Sequence, residues 1–376
     1  MPQIKHIPTI ANWLAQRDGA RLLGRAEFPL FTDAWLTGEI SLGPYEFLNT
    51  VAGSNSKVVK LGIVLRYSMY KDREYPDLNK SDTALYHGGE PPEELAAFAS
   101  MVLGIRLRAG RSIRRFEVGG DPLGHPEEIG DQSEPNFVSP RIYNLPSAKG
   151  QHSLDELNLL TSLLTLPSSA VIALARAARL YQDALWLAES EPELTWLLLV
   201  SAVEAIANEW NKEHGDDVLR LEISKPELHK FLSDYPDKSL LNRVAHEFSD
   251  SLGITRKFVD FCMTFVGGPP SKRPAEWAQF NWADEELRRA LKLVYNYRSK
   301  ALHKGIPFPA PMCSPPYKEP TWDAPAERIF GLAIHQKGST WLEKDLPMSL
   351  HLFEYLARSA ILAWWRCQIT EGADSK

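Results

Sequence analysis

The sequence predicts an α+β N-terminal domain over residues 1–150 and an all-α helical bundle over residues 168–376. Before about Gln151, short runs rich in Val, Ile, Leu, Phe and Tyr alternate with turn residues, which is typical of strands. After Gln151 the apolar residues recur with the 3.6-residue period of helices. A length of 376 residues agrees with two domains of roughly 150 residues each or somewhat more.

The N-terminal domain is predicted to combine two helices with three strands. The helices cover residues 9–16 and 91–104, and Pro91 with the acids that follow it favours the start of the second. The strands cover residues 39–49, 57–70 and 112–118, with a turn at 53–56. Residues 119–146 are rich in Gly, Pro, Asn and Asp and are predicted to form a loop.

The second half is predicted to be helical, with one irregular segment. Helices are expected over residues 154–164, 170–189, 192–212, 283–304 and 347–369, with shorter helical pieces over 225–266. The helix over 283–304 begins with three acids and is followed by Gly305 and Pro307, a strong stop signal. The Pro-rich residues 306–345 are expected to be irregular.

Composition indicates an ordinary globular chain that is not broadly basic. Hydrophobic residues make up 44% and charged residues 24%, which excludes wholesale disorder. Lys and Arg number 42 against 48 Asp and Glu, a net charge of −6. Proteins that coat nucleic acid are usually basic, so any contact with nucleic acid is expected to come from a local patch.

The sequence favours a cytoplasmic protein without membrane segments. Its three cysteines lack the CxxC spacing of zinc or redox sites and are too few for a disulfide framework. The first 23 residues have no long apolar stretch of the kind found in signal peptides. The longest apolar run, residues 196–207, is about a dozen residues long, whereas a membrane span needs about 20.

Arg298 is the most informative single residue. On a helix with 100° per residue it projects from an apolar stripe formed by Leu287, Ala290, Leu291, Val294, Ala301 and Leu302. An unpaired charge on such a face is costly, so Arg298 needs a partner or a ligand. Glu204, which is isolated in the apolar run at 196–207, is the candidate partner. A buried salt bridge that fixes helix register is the alternative interpretation.

His303 completes an Arg-x-x-x-x-His pattern at the end of the same helix. Five residues correspond to about 140° of rotation, so a regular helix separates His303 from Arg298. Because Gly305 and Pro307 end the helix, a tightened last turn would bring the imidazole round. Alternatively, His303 only stabilises the negative end of the helix dipole.

Taken together, Tyr295, Arg298, Ser299, His303 and Gly305 resemble the motif of the Apea-like group of prokaryotic HEPN domains. The resemblance extends from about residue 168 to the C-terminus and includes the upstream helix with Glu204. Many HEPN ribonucleases have Asn, Asp or His directly after the arginine, and Ser299 departs from that pattern.

The resemblance implies a helical domain that dimerises and brings two such motifs into one cleft, and a metal-independent endoribonuclease of toxin or antiviral defence systems. Arg298 would bind the phosphate and His303 would transfer the proton. Glu204, Ser299 and Lys300 would support them. No metal or other cofactor is expected. The alternative is an inactive dimeric scaffold that binds nucleic acid or a partner protein.

Further basic residues on the same helix are candidate contacts for an RNA backbone: Arg288, Arg289, Lys292 and Lys304. The helix dipole also favours acidic residues at the start of a helix and basic residues at its end, so the sequence does not decide between contacts with RNA and stabilisation of the helix. The N-terminal domain is expected to sense a trigger or to bind a regulatory partner. Five arginines are expected to lie on a solvated strand face, the alternative being contacts with phosphate or nucleic acid: Arg106, Arg108, Arg111, Arg114 and Arg115. Trp364 and Trp365 are expected in the core or in a dimer contact, the alternative being stacking on bases.

Overall fold

A computed structural model describes residues 6–50, 59–71, 79–119, 121–127, 135, 137, 141–213, 217–235, 238–248 and 253–374. The helices are α1 Pro8–Arg17, α2 Pro91–Leu103, α3 Ser168–Leu187, α4 Pro192–Glu213, α5 Asp217–Ser224, α6 Pro226–Ser233, α7 Lys238–Phe248, α8 Ile254–Phe265, α9 Asp284–Lys304 and α10 Leu350–Asp374. The strands are β1 Gly24–Thr32, β2 Trp35–Thr37, β3 Ile40–Leu42, β4 Tyr45–Asn49, β5 Lys60–Met69, β6 Arg108–Ala109, β7 Arg114–Phe116, β8 His125–Pro126, β9 Gln151–Ser153, β10 Ala333–Gln336 and β11 Ser339–Leu342.

The N-terminal half is built on one antiparallel sheet. Its strand order is β3-β4-β5-β1-β7-β8, and β6 also pairs with β1. The pairing of β1 with β5 extends from Gly24 opposite Met69 to Thr32 opposite Lys60, with a shift in register at Leu30 and Phe31. The helices α1 and α2 share a buried cluster with residues of the sheet, and β2 pairs in parallel with β9 outside the sheet. The N-terminal part is therefore α/β, as predicted.

Several predicted elements are confirmed in this half, and others need correction. The helices α1 and α2 and the strand at β7 lie where they are predicted. The segment 39–49 forms two strands, because Gly43 and Pro44 turn the chain between β3 and β4. The central strand β1 is absent from the sequence prediction. The predicted turn at 53–56 lies outside the described residues, as does much of the predicted loop 119–146.

The second half is helical, as predicted, apart from one hairpin. The pair α3 and α4 and the helices α9 and α10 agree with the sequence pattern. Residues 154–164 form a 3-10 helix that starts where Ser153 Oγ accepts a hydrogen bond from the Asp155 N–H. The prediction of irregular structure over 306–345 is wrong at β10 and β11, which form an antiparallel hairpin. Between 192 and 304 the described residues contain no strand.

Both halves contribute to one continuous buried cluster. Leu30 and Phe98 belong to it together with Leu199, Leu291 and Phe353. Buried side chains also join them: Arg106 lies 2.9 Å from Asp33 after β1 and 2.6 Å from Glu189 after α3. The expectation of a solvated face is therefore wrong for Arg106. The core position expected for Trp364 and Trp365 is confirmed.

Two further features complete the description of the helices. The helices α5, α6 and α7 pack around a small cluster of their own, centred on Leu221, Leu232 and Ala245. Among the described helices, none is long and apolar enough to cross a membrane.

Candidate functional site

The candidate site is carried by α9, a helix with clear start and stop signals. Asp284, Glu285 and Glu286 occupy its first turn, where negative charge is favoured by the helix dipole. Gly305 adopts φ 63°, and both its N–H and that of Ile306 donate to the Lys300 carbonyl. This left-handed cap lets the α-helix remain regular as far as Lys304.

The inner face of α9 packs against α4 and α8. Leu287, Ala290, Leu291, Val294 and Tyr295 are buried, as the apolar stripe predicts for most of them. The last turn differs, because Leu302 is 52% exposed. Its predicted core position is therefore wrong. The neighbouring His303, Lys304 and Ile306 are also exposed, which shows that the end of α9 projects beyond the core.

Arg298 and Glu204 form the predicted pair between α9 and α4. Arg298 Nη2 lies 2.7 Å from Glu204 Oε2, and the two side chains are 19% and 11% exposed. The other carboxylate oxygen accepts a hydrogen bond of 2.6 Å from Tyr295 Oη. The Arg298 guanidinium also lies over the Tyr295 ring, 5.5 Å from its centroid. The carboxylate of Glu204 therefore bonds to both Arg298 and Tyr295 and holds the two side chains in position.

Tyr295 is the residue whose role sequence analysis missed. It lies three residues before Arg298, so both side chains project from the same side of the helix. Partial burial, the hydrogen bond to Glu204 and the negative charge of Glu204 raise the pKa of the Tyr295 hydroxyl well above its ordinary value. Tyr295 is therefore a neutral donor to Glu204 at physiological pH.

The guanidinium of Arg298 is not fully satisfied by these contacts. Its Nε is buried and has no hydrogen-bond acceptor in the described part of the chain. A buried donor without a partner carries a desolvation cost of about 1–3 kcal/mol. Because this atom has almost no accessible surface, an anion could satisfy it only if the surrounding side chains move.

His303 lies on a different face of α9 from Arg298. Because the helix is regular to Lys304, the rotation of about 140° between the two residues persists. The imidazole is exposed and forms no hydrogen bond or ion pair with any described residue. The expectation that a tightened last turn brings His303 to Arg298 is therefore wrong within one chain.

Of the remaining candidate residues, some form ion pairs and others are exposed to solvent. Arg288 lies 3.0 Å from Asp260, and Arg289 lies 2.7 Å from Glu286. Lys292 and Lys304 are exposed, and Ser299 is half-buried. Lys300 Nζ lies 5.4 Å from the centroid of the Tyr297 ring. The positive charge of α9 is thus partly neutralised near its start and open near its end.

Among the described residues, no group of three or more His, Cys, Asp and Glu side chains is placed to hold a metal ion. A cavity of about 290 Å³ lies at the start of α4, between Glu193, Cys313 and Lys337. Burial raises the pKa of the Cys313 thiol to about 12, so this thiol is not ionised at neutral pH.

Comparison of the chain with protein-family models, with curated proteins and with solved structures finds no match. The function must therefore be argued from the residues themselves.

Proposed function

We propose that the protein is a metal-independent endoribonuclease whose site is built on Arg298 and His303. The reaction would begin with attack of the RNA 2′-OH on the adjacent phosphate and would leave a 2′,3′-cyclic phosphate and a free 5′-OH. It needs a donor for the charge that develops on the phosphoryl oxygens and a group that transfers a proton near neutral pH.

The orphaned Nε of Arg298 is the observation that carries the proposal. Glu204 accepts from Nη2 and fixes the orientation of the guanidinium, while Nε has no acceptor among the described residues. Arginine binds phosphate through two N–H groups on one edge. Glu204 thus holds the guanidinium in place, and a phosphate would meet a positioned donor once the side chains that bury Nε move aside.

His303 supplies the proton-transfer group in this proposal. An exposed imidazole without a competing polar partner is accessible to substrate. Histidine is the side chain whose ordinary pKa lies nearest to neutral pH, which general acid–base catalysis requires. Lys304 and Lys300 are exposed beside it and would attract the RNA backbone.

The two residues lie on different faces of α9, so one chain does not present both to the same phosphate directly. We therefore place the reaction between two copies of the chain, with Arg298 from one and His303 from the other. The exposed apolar side chains of Leu302 and Ile306, which flank His303, suit such a contact between copies. The proposal thus includes a homodimer through the helical half.

Incubation of the purified protein with total RNA in the presence of EDTA tests the proposal. We expect cleavage products with 2′,3′-cyclic phosphate ends from the wild type and none from Arg298→Ala or His303→Ala. Equimolar mixing of the two inactive variants is expected to restore about a quarter of the wild-type activity. This follows because a mixed dimer retains one intact site if each site takes one residue from each copy.

A second candidate function is a scaffold that binds RNA or a partner protein without cleaving it. The observation that favours it is the partial burial of Arg298 against Glu204 together with the outward position of His303. In that case Arg298 fixes the register of α9 on α4. Binding of RNA by both wild type and His303→Ala, without cleavage by either, would support the scaffold.

A further inference from the structure

Four aromatic side chains form a surface cluster that lies apart from the main core. The aromatic cluster consists of Trp277, Tyr317, Trp322 and Phe330. None of the four rings belongs to the continuous buried cluster that joins the two halves of the described chain. Trp277 is 53% exposed and Tyr317 is 50% exposed, although each packs against two neighbouring rings. Large rings with only a packing role are normally buried.

The rings meet at nearly right angles in a closed cycle. Trp277 and Tyr317 each contact both Trp322 and Phe330, with centroids 4.9–5.6 Å apart and interplanar angles of 72–89°. The two exposed rings therefore lie across the cycle from each other, and the two half-buried rings join them. Because the rings pack edge to face, the surfaces that remain open to a ligand are the outer faces of the exposed rings Trp277 and Tyr317.

The backbone that carries the rings is held firmly by buried polar groups. Glu327 is buried and accepts from Arg273 at 2.6 and 2.8 Å and from the Phe280 N–H at 2.7 Å. The Glu327 N–H donates to the carbonyl of Ala278, next to Trp277. These bonds tie the two segments of the cluster together, so its rings are positioned before any ligand arrives.

A second anchor fixes the segment that carries Tyr317. The Ala326 N–H donates to the Tyr317 carbonyl at 2.7 Å, and Ser349 Oγ donates to the carbonyls of Ala326 and Glu327. Four prolines in the segment also restrict its backbone: Pro315, Pro316, Pro320 and Pro325.

The charges near the cluster are mostly acidic, and the exposed Lys318 lies between Tyr317 and Glu319. Glu319 accepts a hydrogen bond of 2.9 Å from Tyr317 Oη, which holds its carboxylate at the edge of the cluster. Glu276 precedes Trp277, Asp323 follows Trp322, and both are exposed. None of these three acids forms an ion pair with a described Lys or Arg, and no described cation lies over any of the four rings. The cluster therefore combines exposed π faces with nearby negative charge.

We propose that the aromatic cluster is a binding site for a methylated ammonium group. A cation within about 6 Å of a ring centroid is attracted by the ring quadrupole, and cages of several rings are the usual way in which proteins recognise quaternary ammonium. Glu319 adds a carboxylate to the same site. The group is carried by free choline-like compounds, by methylated lysine in a protein, or by choline headgroups of lipids. This site is separate from the proposed ribonuclease site and does not depend on it.

Titration of the full-length protein with choline, followed by isothermal calorimetry and by tryptophan fluorescence, tests the proposal. The matched control is 3,3-dimethyl-1-butanol, which has the same shape without the charge. We expect choline to bind and to quench fluorescence, and the neutral alcohol to bind at least about fivefold more weakly. Equal affinity for both compounds, or binding of neither choline nor a trimethyl-lysine peptide, would overturn the proposal.

Variants assign the binding to this cluster. Trp277→Ala and Glu319→Gln are each expected to raise the Kd for choline by about 5- to 30-fold. Trp35→Ala removes an equally exposed tryptophan from another part of the chain and is expected to leave the Kd unchanged. Tyr317→Phe keeps the ring but releases Glu319, so it gives an intermediate loss even if Trp277→Ala does not fold. Unchanged affinity in Glu319→Gln and Tyr317→Phe would contradict the assignment.

Three further arms identify the source of the group. A trimethyl-lysine peptide, its unmodified counterpart and phosphatidylcholine vesicles are compared with free choline under the same conditions. Binding by the trimethylated peptide alone identifies a protein ligand, and binding by vesicles identifies a lipid. Nucleoside monophosphates are titrated in the same way. If they bind more tightly than every ammonium compound, the cluster stacks on bases, and the proposal is refuted.

Discussion

The carboxylate of Glu204 on α4 lies 2.7 Å from the guanidinium of Arg298 on α9. This ion pair joins the two helices that carry the candidate site, and Tyr295 completes it by donating to the second carboxylate oxygen. The arrangement fixes the direction of Arg298, and its Nε has no acceptor in the part of the chain that the structure describes. It is thus both a structural contact and the basis of the proposed phosphate site.

Removal of Glu204 is expected to destabilise the protein more than removal of the Tyr295 hydroxyl. Glu204→Ala leaves a largely buried guanidinium without its counter-ion and should lower the free energy of unfolding by about 2–4 kcal/mol. Tyr295→Phe removes one hydrogen bond to a charged group and should cost about 1–3 kcal/mol. Urea unfolding followed by circular dichroism measures both values. A cost below about 0.5 kcal/mol for Glu204→Ala would show that the pair is unimportant for stability.

Arg106 is expected to be a strong determinant of stability because it joins Asp33 and Glu189 in the interior. Arg106→Ala leaves two buried carboxylates unpaired, and the expected loss is about 3–5 kcal/mol. The matched control is Arg115→Ala, which breaks an exposed pair with Glu127 and should cost about 0–1 kcal/mol. Equal losses in urea unfolding of the two variants would contradict this account.

Gly43 lies in the turn between β3 and β4, and Gly38, between β2 and β3, is its matched control. Both have positive φ, 58° and 82°, and a side chain at either position is strained by about 1–2 kcal/mol. A Cβ at Gly43 would also overlap the indole of Trp13, whereas a Cβ at Gly38 meets nothing within 4 Å. Gly43→Ala should therefore cost roughly 1–3 kcal/mol more than Gly38→Ala. A thermal or urea unfolding series in which the two variants coincide would show that the turn relaxes freely.

His351 is expected to make stability depend on pH. Burial lowers the pKa of its imidazole to about 4. Below the ordinary value of 6.5 the unfolded chain takes up a proton that the folded chain does not accept until about pH 4, so stability falls as the pH decreases across this window. The contribution of this one group is up to about 3 kcal/mol.

The variant His351→Asn isolates this contribution. Asparagine keeps a hydrogen-bonding side chain near Ser349 Oγ, which lies 2.9 Å from His351 Nδ1, but does not titrate. Urea unfolding between pH 7 and pH 4 should show a shallower loss of stability for the variant than for the wild type. Parallel curves for the two proteins would show that His351 does not carry the effect.

Much of the helical half was predictable because its signals are local. The acids before α9, the glycine and proline after it and the apolar stripe within it define the helix. Two isolated charges in apolar stripes predicted the pair of Arg298 with Glu204. The exposure of Leu302 was not predictable in this way, because it depends on where the neighbouring helices end.

Other features depend on contacts that are distant in sequence. The strand β1 carries Arg25, Glu27 and Pro29, which interrupt the pattern of a central strand. Its place is set by pairing with β5 and with β7. The aromatic cluster likewise joins Trp277 to residues 40 or more positions away, held by the buried pair of Arg273 and Glu327. Single-sequence patterns do not report such contacts.

The rate of RNA cleavage by His303→Ala in the presence of EDTA tests the central claim most directly. His303 is exposed at the end of α9, so its replacement should cost at most about 0.3–1 kcal/mol in stability. If it transfers the proton, the single-turnover rate should fall about 10²- to 10⁴-fold. His335→Ala, which removes another exposed histidine, should leave the rate unchanged. Undiminished cleavage by folded His303→Ala, or absence of cleavage by the wild type, would contradict the account.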